Sequence, residues 1–126
     1  MSEPLRGIVV SHAAVAQALV AAVAAIAGVE DALVPVSNEG CDERAVTERL
    51  TAAIGGKAAV LFIDLPGGSC LTSAVRHARG KSDLAVVTGV KLAMLLDFVF
   101  HRDVTPAVAA QRAVEAGARA IRTPAA

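Results

Sequence analysis

The chain has no tryptophan and no tyrosine, and only three phenylalanines among its 126 residues. The aromatic faces on which nucleic-acid bases stack are therefore scarce, and so are the rings that would sandwich a flavin. Neither sign of charge is in excess: 12 Lys and Arg stand against 12 Asp and Glu. That balance argues against a nucleic-acid partner or an anionic membrane surface, both of which call for clustered base. The two cysteines, Cys41 and Cys70, form no CxxC or Cys/His metal-ligand spacing. They read as reduced thiols of a cytoplasmic protein, with no metal site. Met1-Ser2-Glu3-Pro4 carries no basic segment leading into an apolar core, so no export signal is expected there. The apolar run from Ala13 to Ala27 falls short of the roughly 20 residues that span a bilayer and contains Gln17. It reads as a buried helix, with no insertion into membrane.

What remains is an apolar composition, 55% hydrophobic, carried by alanine and valine rather than by bulky side chains. One domain over 1–126, with 121–126 as a tail, suits that length. Strands and helices alternate. A β-branched strand at 5–10 precedes a helix at 13–27 that Gly28 closes. A strand at 32–36 leads through Ser37-Asn38-Glu39-Gly40 into a helix at 42–54, with Asp42 or Cys41 near its N-cap and Gly55-Gly56 after it. A third strand at 57–63 barely alternates and so reads as buried on both faces. A helix from Gly67-Gly68-Ser69 to His77 and a strand at 83–88 come next. Helices at 91–101 and 105–118 follow, with Pro106 in a first turn. Ala118–Arg122 fits either a terminal helical turn or a short fifth edge strand. This alternation predicts an α/β fold, a parallel sheet covered by helices on both faces in three α/β/α layers. The doubly wound order expected for a small sheet of this kind is the flavodoxin-like 2-1-3-4.

In that order the first and third strands are neighbours, and the crevice above their carboxyl ends is the default ligand site. His12, just past the first strand, and Asp64-Leu65-Pro66-Gly67-Gly68-Ser69, past the third, both fall there. Each feature alone has a plainer reading. His12 fits a surface histidine as well as a nucleophile with a free pKa near neutrality. Gly67-Gly68-Ser69 fits a tight turn as well as an anion cradle of backbone N–H groups at a helix start. Asp64 fits a turn residue as well as a carboxylate that fixes an imidazole tautomer. Their convergence favours the site. His77 and His101, near helix ends, read as surface or capping residues. Cys70, at a helix start, reads as a buried or inert thiol rather than an activated one.

Three separated segments carry a family resemblance. They are Gly7-Ile8-Val9-Val10-Ser11-His12, Phe62-Ile63-Asp64-Leu65-Pro66-Gly67-Gly68-Ser69 and Val87-Thr88-Gly89-Val90-Lys91-Leu92-Ala93-Met94-Leu95-Leu96. In order and spacing they resemble the mannose-type IIA domain of the bacterial sugar phosphotransferase system (the mannose/fructose/sorbose family). The resemblance implies a phosphohistidine relay. His12 would accept a phosphoryl group from the phosphocarrier protein HPr and pass it to a IIB domain. Asp64 would orient the imidazole, and Gly67, Gly68 and Ser69 would bind the phosphoryl oxygens. No metal and no cofactor are implied, and a homodimer with an exchanged terminal strand is. The chain departs from the family where Ala13 replaces the glycine after the histidine and Cys70 replaces the proline after Gly-Gly-Ser. It departs again at Lys91 and Ala93, where the family commonly has asparagine and proline. A second role is compatible with these changes: a stand-alone regulatory IIA module whose phosphorylation state controls a kinase, transcription regulator or transporter.

Overall fold

The computed structural model describes residues 3–125. Met1, Ser2 and Ala126 lie outside that range, and with them the start of the segment expected to lack an export signal and the end of the expected tail. Four parallel strands are laid down in the order β2-β1-β3-β4. They are β1 Arg6–Ser11, β2 Leu33–Ser37, β3 Ala59–Ile63 and β4 Leu84–Val87. Five helices connect and cover them: α1 Val15–Ala27, α2 Glu43–Ile54, α3 Ser69–Ala78, α4 Leu92–Val99 and α5 Pro106–Arg119. The parallel sheet is the one expected from the alternation of elements, and its order is the expected flavodoxin-like one.

Local chemistry accounts for the boundaries. Gly28 and Gly55 adopt left-handed conformations that close α1 and α2, as a C-terminal glycine does without a Cβ penalty. Asp42 is the cap of α2, its carboxylate accepting from the Ala45 N–H at 2.9 Å. Thr105 accepts from Val108 N–H, with Pro106 as the first residue of α5. Pro35 sits in β2, which is an edge strand and can spare one ladder donor. The fifth strand that Ala118–Arg122 left open is not formed. The N–H of Ala120 bonds to Ala116 C=O and that of Ile121 to Ala118 C=O, so α5 continues to Arg119 and closes in a turn at Ala120, and residues 121–125 carry no regular structure.

Alternation along the central strands divides the core in two. Val9, Val60 and Phe62 point to the layer of α1, α4 and α5, packing with Val23, Leu95, Phe98 and Ala113. Ile8, Val10, Leu61 and Ile63 point to the layer of α2 and α3, packing with Leu50, Ile54 and Ala74. β1 and β3 are therefore apolar on both faces, which is why their sequences barely alternate. Phe62 and Phe98 meet edge to face, with centroids 5.2 Å apart.

Gly7 makes that contact possible. A Cβ there would stand 2.6 Å from Leu33 Cδ2 and 2.8 Å from Phe98 Cε2. Gly7→Ala is expected to destabilise the fold by about 1–3 kcal/mol through overpacking. Urea denaturation checks this, and an unchanged midpoint would show that Phe98 can withdraw at no cost.

Candidate functional site

Topology brings the ends of β1 and β3 side by side, with Val10 opposite Ile63 in the register. The chain leaves each strand with one polar residue directed at the other. Asp64 receives three hydrogen bonds. Its Oδ2 accepts from the backbone N–H of His12 at 2.9 Å and lies 2.9 Å from His12 Nδ1, while Oδ1 accepts from Leu65 N–H at 3.0 Å. Burial alone would raise the Asp64 carboxyl pKa, but the His12 amide, the His12 ring and the Leu65 amide outweigh it. The group is held below the usual aspartate range.

The ionised carboxylate only accepts, so His12 Nδ1 must carry the proton of their shared bond. In the neutral ring Nε2 then keeps its lone pair. The imidazole is 44% exposed and the carboxylate only 14%, so the ring presents its free nitrogen to solvent from a shielded base. That is the arrangement of an oriented nucleophile.

The third feature of the crevice is the start of α3. Gly68 has φ +89 and caps the helix without a side-chain bond. A residue with a Cβ would be strained there, though space around it is open. The first helical bond runs from Thr72 N–H to Gly68 C=O. The amides of Ser69, Cys70 and Leu71 are thus the donors that a helix start leaves free, at its positive end. Cys70 fixes where that end lies: its Sγ comes within 4.8 Å of the donor atoms of His12 and Asp64. Gly67 is exposed and Ser69 half-buried beside it.

Several residues that sequence reasoning passed over hold His12 in place. Ser11 is fully buried; its Oγ accepts from Ala16 N–H at 2.6 Å and donates to His12 C=O. It serves as the cap that Ala14, at the N-cap position, cannot supply. Ala13 is clamped from the loop after β2, where Asn38 Oδ1 accepts from its N–H and Ser37 Oγ donates to its C=O at 2.6 Å. The turn-like Ser37-Asn38 pair was visible in the sequence; its pairing across 24 and 25 residues was not.

Ala13 itself has φ +48, and among the described residues it is the only non-glycine with positive φ. For an alanine that conformation costs about 1–2 kcal/mol. Here the departure from the family's glycine acquires a physical meaning: the turn after the histidine is left-handed, and this chain makes it with a strained residue. Ala13→Gly is expected to raise stability by up to about 1 kcal/mol, the strain relieved less the entropy glycine loses on folding. Thermal unfolding checks it, and a clear drop in Tm would contradict the strain.

The remaining sequence candidates lie elsewhere or are engaged. His77 donates from Nδ1 to Ser73 C=O at 2.8 Å and meets Thr51 Oγ1 through Nε2, tying α3 to α2. His101 donates from Nδ1 to Asp97 C=O. Both sit at helix ends. Burial, and then the negative charge of Asp64, push the Cys70 thiol up from its ordinary pKa, the opposite of an activated nucleophile. Lys91 lies against α5, its Cε 3.5 Å from where a Cβ on Gly117 would be.

Fold and crevice together define a doubly wound α/β protein with a carboxylate-oriented histidine at its strand ends. A family model described as the PTS (phosphotransferase system) fructose IIA component, EIIA-man, matches residues 7–114. The chain belongs to this mannose/fructose-type IIA family of the sugar phosphotransferase system. Among solved structures, it is similar to the phosphotransferase system component EIIA from Streptococcus agalactiae. The TM-score is 0.87 at 18% identity, over 94% of this chain and 96% of that one. It is similar also to the mannose/sorbose-specific IIA subunit from Enterococcus faecalis, with TM-score 0.85 and 22% identity over 98% and 97% of the two chains. A sigma-54 interaction domain protein from Enterococcus faecalis shares the fold at TM-score 0.72 and 12% identity, over 94% and 96%. No curated protein sequence matches significantly. Among the described residues, no helix is long and apolar enough to cross a membrane.

Proposed function

We propose that His12 takes a phosphoryl group onto Nε2 from the phosphohistidine of HPr and passes it to a IIB domain in the cytoplasm. The observation that carries this reading is the 2.9 Å pairing of His12 Nδ1 with Asp64 Oδ2. In the transfer, the Nε2 lone pair forms a new N–P bond as the donor imidazole's N–P bond breaks. Nδ1 keeps its proton throughout, and the positive charge that the ring acquires is matched by Asp64. Gly67 and Gly68 keep side chains out of the path of the phosphoryl oxygens. The free amides at the start of α3 and the Ser69 hydroxyl would bind those oxygens. Imidazole-to-imidazole transfer of this kind calls on no metal or cofactor. A homodimer is proposed as well. Its support is the outer edge of β4, unpaired among the described residues, and the exposed Ile121, which lines one pocket with Thr88 just past that strand.

A regulatory role is the second reading, favoured by the likeness to a sigma-54 interaction domain protein and by the altered residues Cys70, Lys91 and Ala93. One experiment serves both. The protein is incubated with phosphoenolpyruvate, enzyme I and HPr, its mass is measured intact, and a mannose-type IIB domain is then added. Rapid loss of the phosphoryl group to IIB supports relay. A phosphoprotein that forms but persists supports regulation, and failure to phosphorylate at all contradicts both.

A further inference from the structure

The crevice contains one potential ligand side chain, the Cys70 thiol, that phosphoryl transfer does not use, and it stands beside the two that transfer does use. Cys70 lies on the first turn of α3 with its side chain turned inward, fully buried beside Ile63 and Ala74. One ligand atom each from His12, Asp64 and Cys70 lies within 4.8 Å of the other two. In a tetrahedral zinc site, bonds of about 2.0–2.3 Å put the donors about 3.3–3.8 Å apart. A side-chain adjustment of about 1 Å or less would therefore gather all three around one ion. Of the two His12 nitrogens, Nδ1 is the one that faces Asp64, so an ion shared with that carboxylate would take Nδ1 in exchange for its proton. Solvent reaches the crevice over the half-exposed His12 ring.

We propose that His12, Asp64 and Cys70 form a binding site for a zinc-class divalent cation that switches off the histidine. Imidazole, carboxylate and thiolate together suit zinc, whereas magnesium and calcium call for oxygen ligands alone. Three protein ligands leave the fourth position to water. The proton balance supplies the consequence. Cys70 binds as thiolate and releases its proton to solvent. Zinc takes the place of the proton on Nδ1, and a neutral ring then carries its one proton on Nε2. Without a lone pair Nε2 cannot attack phosphorus, so zinc and phosphoryl acceptance exclude each other. Spacing along the chain gave no hint of this, because the three donors come from separate elements at positions 12, 64 and 70.

The inhibitory effect rests on Nε2 being the phosphoryl acceptor; the metal site does not. Cobalt(II), titrated into tag-free protein, reports the site by itself. The expected result is one ion per chain with a thiolate-to-cobalt charge-transfer band in the near ultraviolet. The band should survive Cys41→Ser and vanish in Cys70→Ser, with affinity weakened at least about 10-fold, the cost that even outer-shell losses exact. No band in the parent protein, or a band that follows Cys41, would overturn the proposal, and the parent spectrum stands even if Cys70→Ser folds poorly. In a second arm, one equivalent of zinc is added before phospho-HPr that has been purified away from enzyme I. Acceptance should stop in the parent protein, return with chelator, and proceed in Cys70→Ser equally with and without zinc. Zinc-independent acceptance in the parent protein would overturn the switch. Failure of metal-free protein to accept phosphoryl would instead count against His12 as acceptor, and the cobalt band would then decide the metal site by itself.

Discussion

His12→Ala should abolish phosphoryl acceptance while leaving the fold in place. No neighbouring group can replace the lost nitrogen. His77 has both ring nitrogens engaged, and neither it nor His101 sits at the strand ends beside the start of α3. Cys70 is buried and, in the metal-free protein, its raised pKa keeps it a neutral thiol, so it offers phospho-HPr no nucleophile. The structural cost is small because the ring is 44% exposed, and exposed substitutions are usually within about 0.5 kcal/mol. Asp64 keeps the His12 and Leu65 amides as donors after the change. Intact mass after incubation with phosphoenolpyruvate, enzyme I and HPr provides the test. A phosphorylated His12→Ala protein would move the acceptor to another residue.

Asp64→Asn should slow transfer by about 10²–10⁴-fold without unfolding the protein, the range spanned by lost proton positioning and by a wrong imidazole tautomer. The carboxylate serves three donors with two acceptor oxygens. An asparagine has one acceptor and turns an NH2 toward whichever donors remain. Either the His12 ring loses its anchor or the backbone turn does, and the positive charge formed on attack is no longer balanced. Stability should respond at acid pH too. A carboxyl held below its ordinary pKa contributes stability that is fully present above the unfolded value and is lost as pH falls through the lowered one. The substitution removes that contribution, so the variant's stability should fall less between neutral and strongly acid pH. Single-turnover transfer from phospho-HPr measures the rate, and parent-like kinetics would demote Asp64 to a turn residue.

Much of this was legible because the signals were strong ones. Apolar strands bounded by glycine, with Asp42 or Cys41 near one helix start and Pro106 in the first turn of another, lead to a buried parallel sheet. The flavodoxin-like order expected for it is the one formed. That order alone predicts that residues 12 and 64 should meet. Boundaries shifted by a residue or two where the helix start depends on a remote group, as at α1, whose first turn is held by Ser11. Ala118–Arg122 was ambiguous because its alanines suit a helix and its length suits a strand; the helix prevailed through bonds back to Ala116 and Ala118. The clamp of Ser37 and Asn38 on Ala13, and the approach of Cys70 to the histidine, were beyond reach of the sequence. Both join elements that only the folded sheet brings together, and serine, asparagine and lone cysteine are common in turns and cores for ordinary reasons.

The central claim is that Asp64 holds the proton on Nδ1 so that Nε2 takes the phosphoryl group. Nitrogen-15 and phosphorus-31 NMR of protein labelled at histidine reads both atoms in one sample. Before phosphorylation, His12 should show a pyrrole-type Nδ1 bearing hydrogen and a pyridine-type Nε2. Afterwards, phosphorus should couple to Nε2 of His12 alone. Coupling to Nδ1, or to another residue, would contradict the account.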